Sequence, residues 1–254
     1  CVERCDAACT TSPSTFMMCA SAGLRSVLPG CASFARRRNW SVSANAMKFA
    51  IASNMNLVGG PGNDTLTGNA GNNALVGMSG LDTAIYSGPR ANYTVAASTN
   101  GFTIGSSADG FDSLLNVDRI QFGDTSMAVA LDLAGNGGQA YRLYSAVLGR
   151  APDKGGLGFW IDKLDDGISM QDVSNAFLGS QEFITTYGAN LTNTQFVDKL
   201  YKNVLHRSLD QAGFDFWVAA IEQHGVSRAD ILISFSESNE NQAQVIGQIQ
   251  NGID

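Results

Sequence analysis

The chain has 254 residues, with 23 acidic and 16 basic side chains, a formal net charge of −7, and 28 glycines. This length fits one large or two small domains, and a hydrophobic share of 44% is enough for a packed core. No run of about 18 apolar residues lacks a charge, so the sequence excludes a membrane-spanning helix. The acidic balance argues against a nucleic-acid partner. Only two histidines are present, both after residue 205, which leaves little material for histidine-based catalysis or zinc binding.

Residues 1–50 differ in composition from the rest of the chain. They carry six basic and two acidic side chains, whereas the remainder carries 10 basic and 21 acidic ones. All five cysteines fall within the first 31 residues, with no C-x2-C pair, so a zinc site is not supported and any disulfide framework leaves an odd thiol. We expect this Cys- and Arg-rich leader to be a disordered or non-native extension of the folded unit.

A glycine-rich repeat of nine residues follows. Residues 59–67 read GGPGNDTLT and match G-G-x-G-x-D-x-U-x, where U is a large apolar residue. Residues 68–76 (GNAGNNALV) and 77–85 (GMSGLDTAI) continue in phase, with glycine at positions 1 and 4 each time. This pattern is typical of parallel β-rolls that bind calcium. The alternative is a Gly- and Asn-rich surface loop or linker.

The repeat has a physical explanation. Six residues make a tight turn that needs glycine, and three make a short strand whose middle side chain points inward. Leu66 and Leu75 suit that inward position, and the smaller Ala84 fills it less well. Because one coil takes two nonapeptides, turns on the same side of the roll are 18 residues apart. Asp64 and Asp82 have this separation and therefore stack.

Stacked turns offer carboxylate and carbonyl oxygens, the ligands that Ca²⁺ prefers. Asn73 replaces aspartate on the opposite side, where we expect it to lack a stacked partner, so the sequence predicts one calcium site. Its predicted ligands and the turn residues around them are Asp64, Asp82, Gly59, Pro61, Gly62, Asn63, Gly77, Ser79, Gly80 and Leu81.

Residues 92–124 indicate a cap for the roll. Two short strands are separated by Asn100-Gly101, a hairpin signal, and an acidic stretch follows. The carboxylates of that stretch do not have the spacing of a D-x-[DN]-x-[DN]-G loop, so we interpret them as turn and cap residues rather than as a second metal site. They are Asp109, Asp112, Asp118 and Asp124.

Residues 54–131 resemble the hemolysin-type calcium-binding, or repeats-in-toxin (RTX), repeats with their capping element. The resemblance implies secretion through a type I exporter, without a signal peptide, and folding on contact with external calcium. The chain departs from the family pattern at Asn73 and in its small number of repeats.

A second repeat, with a period of 57–58 residues, occupies residues 139–252. Both units have the pattern Y-x3-L-x-R-x2-D-x2-G-x2-F-W, and each is predicted to form four capped helices. The pattern resembles the helical domain of unknown function 4214, for which no activity is assigned. Its signature residues are Arg150, Asp153 and Trp160 in the first unit, and Arg207, Asp210 and Trp217 in the second.

We interpret the residues of this helical signature as structural. The aspartates are predicted N-caps, the arginines are expected to pair with local carboxylates, and the aromatic pairs Phe159-Trp160 and Phe216-Trp217 are expected to anchor the core. Ser169 and Ser227 are predicted to cap the third helix of each unit, ahead of Asp172 and Asp230 in its first turn. We find no nucleophile elbow, H-E-x-x-H or P-loop motif.

The sequence therefore predicts a multidomain α+β chain. The leader (1–50) precedes a short parallel β-roll with a β cap (51–135) and an all-α domain (139–254) of two units, 139–190 and 195–252. We expect a secreted, non-enzymatic calcium-binding protein, extracellular or at the bacterial cell surface, whose helical domain contacts an extracellular protein, a glycan or the cell envelope. The alternative is the C-terminal fragment of a larger secreted enzyme or toxin.

Overall fold

A computed structural model describes residues 54–125 and 128–254, together with two short antiparallel strands, β1 (Cys19–Ala20) and β2 (Gly23–Leu24). The prediction that residues 1–50 form a disordered or non-native leader falls almost wholly outside the described residues. The described chain contains a strand-rich module followed by a helical one, which confirms the α+β fold class.

The strand-rich module is a roll of three coils. Its strands are β3 (Asn56–Pro61), β4 (Thr65–Leu66), β5 (Ala74–Ser79), β6 (Thr83–Tyr86), β7 (Thr94–Ser98), β8 (Gly101–Ser106), β9 (Gly110–Leu115), β10 (Arg119–Phe122) and β11 (Val129–Ala130). One sheet has the order β3-β5-β9-β8-β7 and the other β4-β6-β10-β11. Within them β3, β5 and β9 are parallel, as are β4, β6 and β10. The nonapeptides supply two coils, and β9 with β10 forms a third that the sequence analysis did not predict.

The inward side chains of the three coils form one apolar core. Each is the last residue of a D/N-x-U triplet and is nearly or fully buried: Leu66, Leu75, Ala84, Leu114 and Ile120. Ala84 is completely buried and belongs to the same apolar cluster, so it takes the predicted inward position.

The predicted cap is also present. Strands β7 and β8 form a hairpin around Asn100, and β8 pairs antiparallel with β9 at the edge of the third coil. Tyr86, Tyr93 and Phe122 pack together beneath the hairpin, with ring centroids 5.1 to 6.1 Å apart. The hairpin therefore covers a roll end that would otherwise expose apolar side chains.

The helical module repeats four helices twice. The helices are α1 (Asn136–Leu148), α2 (Lys154–Asp165), α3 (Met170–Leu178), α4 (Gln181–Tyr187), α5 (Asn193–Asn203), α6 (Gln211–Glu222), α7 (Arg228–Ser236) and α8 (Asn239–Ile249). The predicted caps are confirmed, because the side chains of Asp153, Asp210, Ser169 and Ser227 each accept a hydrogen bond from the amide three residues on.

One expectation for the helical core is wrong. Phe159 and Phe216 are 52% and 64% exposed and do not anchor the core. Their neighbours Trp160 and Trp217 do pack inward, with ring centroids 5.0 and 5.4 Å from Phe177 and Phe235, respectively. Consecutive helical residues point about 100° apart, so only one of each aromatic pair can face the core.

The two modules are joined by buried charge and by backbone pairing. Arg119 of β10 is 5% exposed and forms ion pairs with Asp165 at the end of α2 and with Asp132 in the segment before α1. Ala130 of β11 and Ile253 exchange two backbone hydrogen bonds of 2.9 and 2.8 Å. The helical module thus leaves the roll and returns to it at the same strand.

Candidate metal centre

The turns after β3 and β5 stack on one side of the roll, which we call the aspartate face. The backbone amide of Asp64 donates to Asp82 Oδ1 at 2.8 Å, and the amide of Gly60 donates to Asp64 Oδ2 at 2.7 Å. Asp82 therefore fastens the preceding turn, and Asp64 fastens its own turn. The structure brings together the two aspartates that the sequence pairs.

The remaining predicted ligand residues form the walls of these two turns. Gly62 N donates to the Ser79 carbonyl at 2.8 Å, and Leu81 N donates to Asn63 Oδ1 at 2.9 Å. Pro61 lies opposite Ser79 in the parallel register. Gly80 takes φ +127° and lies so close to Gly62 that a side chain there would meet the Gly62 carbonyl.

Gly59 marks the point where oxygens from both turns converge. A Cβ added at Gly59 would lie 2.5 Å from Asp64 Oδ2 and 2.8 Å from the carbonyl oxygen of Gly77. Glycine leaves this space open, and the donors around it are a carboxylate from one turn and a carbonyl from the next. Oxygen donors of this kind suit a hard cation such as Ca²⁺.

Asp82 gives the clearest sign that the aspartate face fits a cation. The residue is completely buried, and its Oδ2 has no hydrogen-bond partner among the described residues. Burial raises the pKa of this carboxyl, since desolvation disfavours the charged form. A bound Ca²⁺ would supply the missing partner and hold the carboxylate ionised.

The donor set around the stacked turns is mixed rather than purely acidic. Within residues 54–125 and 128–254, no three His, Cys, Asp or Glu side chains gather closely enough to hold a metal by themselves. Asp64 and Asp82 would therefore hold calcium together with backbone carbonyls such as that of Gly77. The ion would neutralise the buried charge and cross-link successive coils.

Asp118 extends the aspartate face beyond the repeats. The amide of Asp82 donates to Asp118 Oδ2 at 2.8 Å, just as the Asp64 amide donates to Asp82. Sequence analysis assigned Asp118 to the cap because the acidic residues there do not have the spacing of a D-x-[DN]-x-[DN]-G loop. In the structure its turn, 116–118, has three residues where the turn 77–82 has six. The signal that identifies it is the triplet Asp118-x-Ile120, which matches Asp64-x-Leu66.

The opposite side of the roll, which we call the amide face, is closed by protein groups. The expectation that Asn73 lacks a stacked partner is wrong, because its amide N–H donates to Asp112 Oδ1 at 2.7 Å. Its side-chain Nδ2 donates to Asp112 Oδ1, Asn69 O and Gly71 O at 2.9, 3.0 and 2.8 Å. Asp112 Oδ2 accepts from Tyr86 at 2.7 Å. These oxygens already have hydrogen-bond donors.

The charged signature of the helical module forms two equivalent ion-pair clusters. Arg150 Nε donates to Glu182 at 3.0 Å, and Arg207 Nε donates to Glu240 at 2.7 Å. A hydrogen bond from the Tyr144 hydroxyl, at 2.5 Å, lowers the pKa of Asp153. The arginines thus pair with local carboxylates, as predicted, and each cluster links the second helix of its unit to the fourth.

Across the described part of the chain, no helix is both long enough and apolar enough to span a membrane.

Family models match both modules. Residues 56–84 match the RTX calcium-binding nonapeptide repeat, and residues 139–185 and 174–245 match the domain of unknown function DUF4214. No protein of curated function matches the chain. The chain therefore combines RTX repeats with a DUF4214 region, in the predicted order. Calcium is the ligand of such repeats, which are typical of secreted bacterial proteins.

Proposed function

We propose that this chain is a non-enzymatic calcium-binding protein that works outside the bacterial cell, where calcium holds the roll in its folded form. Type I export, without a signal peptide, is the route that fits RTX repeats. The helical module would then present a surface to an extracellular protein, a glycan or the cell envelope.

The convergence of Asp64 Oδ2 and the Gly77 carbonyl at Gly59, in turns stacked through the buried Asp82 carboxylate, carries the calcium part of this proposal. A buried carboxylate such as that of Asp82 is destabilising when it is ionised and no cation neutralises it. Calcium removes that penalty, so the roll is stable where calcium is abundant and weakened where it is scarce. A site with few carboxylates should have a dissociation constant of about 10⁻⁴ to 10⁻³ M, as in extracellular modules.

The helical module supports an interaction role more than a catalytic one. The charges that recur in the two units pair with one another, Arg150 with Glu182 and Arg207 with Glu240. Its exposed aromatic residues, Phe159 and Phe216, recur at equivalent places in the two units and are available for contact. The helical module would therefore act through its surface.

A calorimetric calcium titration tests the proposed site. The wild-type chain should release or absorb heat with a midpoint in the range above, and Asp64→Ala/Asp82→Ala should lose that heat. Asp198→Ala/Asp215→Ala is a charge-matched control, because both residues lie on helices far from the turns. Equal heats for the wild type and the Asp64/Asp82 double variant would refute the site.

The second candidate is a C-terminal piece of a larger secreted enzyme or toxin. The composition of residues 1–50, unlike that of the remainder, favours it. The nucleotide sequence upstream distinguishes the two: an in-frame catalytic domain supports the enzyme or toxin, and a start codon at Met47 supports a small stand-alone protein.

A further inference from the structure

We propose a second divalent-cation site on the aspartate face, between the turn 77–82 and the turn 116–118, held by Asp82, Asp118 and the backbone carbonyl of Asn116. The inference rests on the proposed binding of calcium by the roll. It differs in using the third coil, which lies outside the matched nonapeptides. The expected ligand is a hard cation that prefers oxygen donors, and we take it to be Ca²⁺, as in the neighbouring turns.

The parallel register makes the two gaps between turns equivalent. Gly60 lies opposite Met78, so Gly59 corresponds to Gly77, and Val76 lies opposite Leu115, so Gly77 corresponds to Asn116. The first position of each turn is therefore equivalent in the two gaps, although the turn 116–118 is three residues shorter than the turn 77–82.

The same oxygens recur in the second gap. At Gly59 the open space is bounded by Asp64 Oδ2 and the Gly77 carbonyl. At Gly77 it is bounded by Asp82 Oδ2 and the Asn116 carbonyl, both so close that a Cβ there would collide with them. A carboxylate oxygen and a carbonyl oxygen from the following turn thus meet at the same point of both gaps.

The carboxylate oxygen in the second gap lacks the hydrogen bond that its counterpart in the first gap has. Asp64 Oδ2 accepts a hydrogen bond from Gly60, whereas the equivalent Asp82 Oδ2 is buried and accepts none. The Asp82 carboxylate uses Oδ1 to fasten the turn of Asp64, so Oδ2 is the oxygen that remains for a ligand on the side of Asn116.

The amide face shows what such a position requires. At Gly68, the nearest atom to an added Cβ is Asn73 Nδ2, which takes the place that a carboxylate oxygen holds at Gly59 and Gly77. There the N–H groups of one amide satisfy three oxygens. Asp82 carries an oxygen instead of an N–H donor at this place, so an external positive charge is the complementary group.

An open cleft of about 700 Å³ lies beside the short third turn and is lined on the roll side by Gly80, Leu81, Asn116, Val117 and Asp118. Water entering through this cleft can complete the six to eight oxygen ligands that Ca²⁺ takes. Since the turn of three residues offers fewer carbonyls than a turn of six, the second site should be the weaker one.

Counting bound ions tests the proposal. Equilibrium dialysis of the whole chain against ⁴⁵Ca²⁺, up to several millimolar, should give two ions for the wild type. Asp64→Asn and Asp118→Asn should each give one ion, because each keeps the gap that does not use the altered residue. Asp124→Asn, in the loop after β10, is the matched control and should keep both ions.

The outcomes separate this site from the proposed function. A wild-type count of one ion, lost in Asp64→Asn and kept in Asp118→Asn, overturns the second site and leaves the first. A wild-type count of zero overturns both. Circular dichroism checks that each variant keeps its strands. If Asp118→Asn unfolds, Asp118→Ser, whose hydroxyl is a smaller acceptor for the Asp82 amide, replaces it, and the wild-type count of two is still required.

Discussion

Arg119 and Asp165 form a two-pronged ion pair across the junction of the modules, with Arg119 Nη2 2.7 Å from both carboxylate oxygens and Nε 3.1 Å from one. Their side chains are only 6% and 13% exposed. Arg119 directly follows Asp118, whose carbonyl also accepts from its guanidinium at 2.7 Å. The end of the aspartate face is therefore one residue away from the contact that docks the helical module.

Arg119→Met should destabilise the chain by about 3–5 kcal/mol, because removal of one partner leaves the carboxylates of Asp132 and Asp165 buried without their cation. Asp165→Asn should cost less, since Asp132 still pairs with the arginine. Urea unfolding followed by circular dichroism measures both. A loss below about 1 kcal/mol for Arg119→Met, the range of an exposed pair, would contradict a structural role for this junction.

Asn73→Asp should turn the amide face into a calcium site. The new carboxylate would face Asp112 Oδ1, Asn69 O and Gly71 O, which now accept from the Asn73 side chain. Without calcium the variant should lose about 3 kcal/mol or more, because buried oxygens would meet without a donor. Calcium should restore that stability and add one bound ion.

Asn73→Ala is the control for this conversion. It removes the same hydrogen bonds but adds no carboxylate, so calcium should not restore its stability. The midpoint of thermal unfolding with EDTA and with calcium measures both variants. An equal effect of calcium on the unfolding midpoints of the two variants would show that the new carboxylate does not bind calcium.

Two matching glycines in the helical module should respond differently to alanine. A Cβ at Gly156 would lie 3.0 Å from the Tyr144 hydroxyl, whereas one at Gly213 would collide with the hydroxyl of Tyr201. Alanine in a helix gains roughly 0.8–1 kcal/mol over glycine, and overpacking costs about 1–3 kcal/mol. Gly156→Ala should therefore be nearly neutral and Gly213→Ala destabilising, as measured by urea unfolding. If Gly156→Ala were the more destabilising of the two, the close approach of the tyrosine hydroxyls would not determine the effect of these substitutions.

The pH dependence of stability should reveal Asp112. Desolvation is the largest influence on this carboxyl and raises its pKa in the folded protein, although Tyr86 and Asn73 donate hydrogen bonds to it. A raised folded-state pKa gives stability that is complete below the unfolded value of about 3.9 and is lost as pH rises through the folded value.

Asp112→Asn abolishes that titration. The free energy of unfolding of the variant, relative to that of the wild type, should therefore increase between pH 4 and pH 7 in calcium-free buffer, because only the wild type loses stability as the pH rises. Urea titrations at a series of pH values provide the comparison. A difference between the two proteins that stays constant with pH would show that Asp112 does not titrate in this range.

Local patterns carried most of the fold prediction. The Gly59 repeat specifies turns and short strands by itself, and the Asp153 and Ser169 caps act within three residues of their targets. These features need no knowledge of distant parts of the chain. The roll, its hairpin cap and the two helical units were therefore all predictable.

Tertiary contacts account for what the sequence did not show. The hairpin inserted between β6 and β9 interrupts the nine-residue period, and the turn 116–118 lacks three residues of the usual length, so the third coil has no visible repeat. Asp112 reaches Asn73 across 39 residues, and Arg119 reaches Asp165 across 46. Neither pairing follows any spacing rule, because each depends on how the inserted segments fold.

The pairing of Ala130 with Ile253 gives the helical module two ends that lie next to each other. Its entrance and exit are held side by side by two backbone hydrogen bonds on the edge strand β11. A tight turn, or an unrelated domain whose ends lie equally close together, could replace the whole array without stretching the roll, since a short connection adds little closure entropy. Any such replacement would also have to supply a carboxylate for Arg119, as Asp165 of the helical module does.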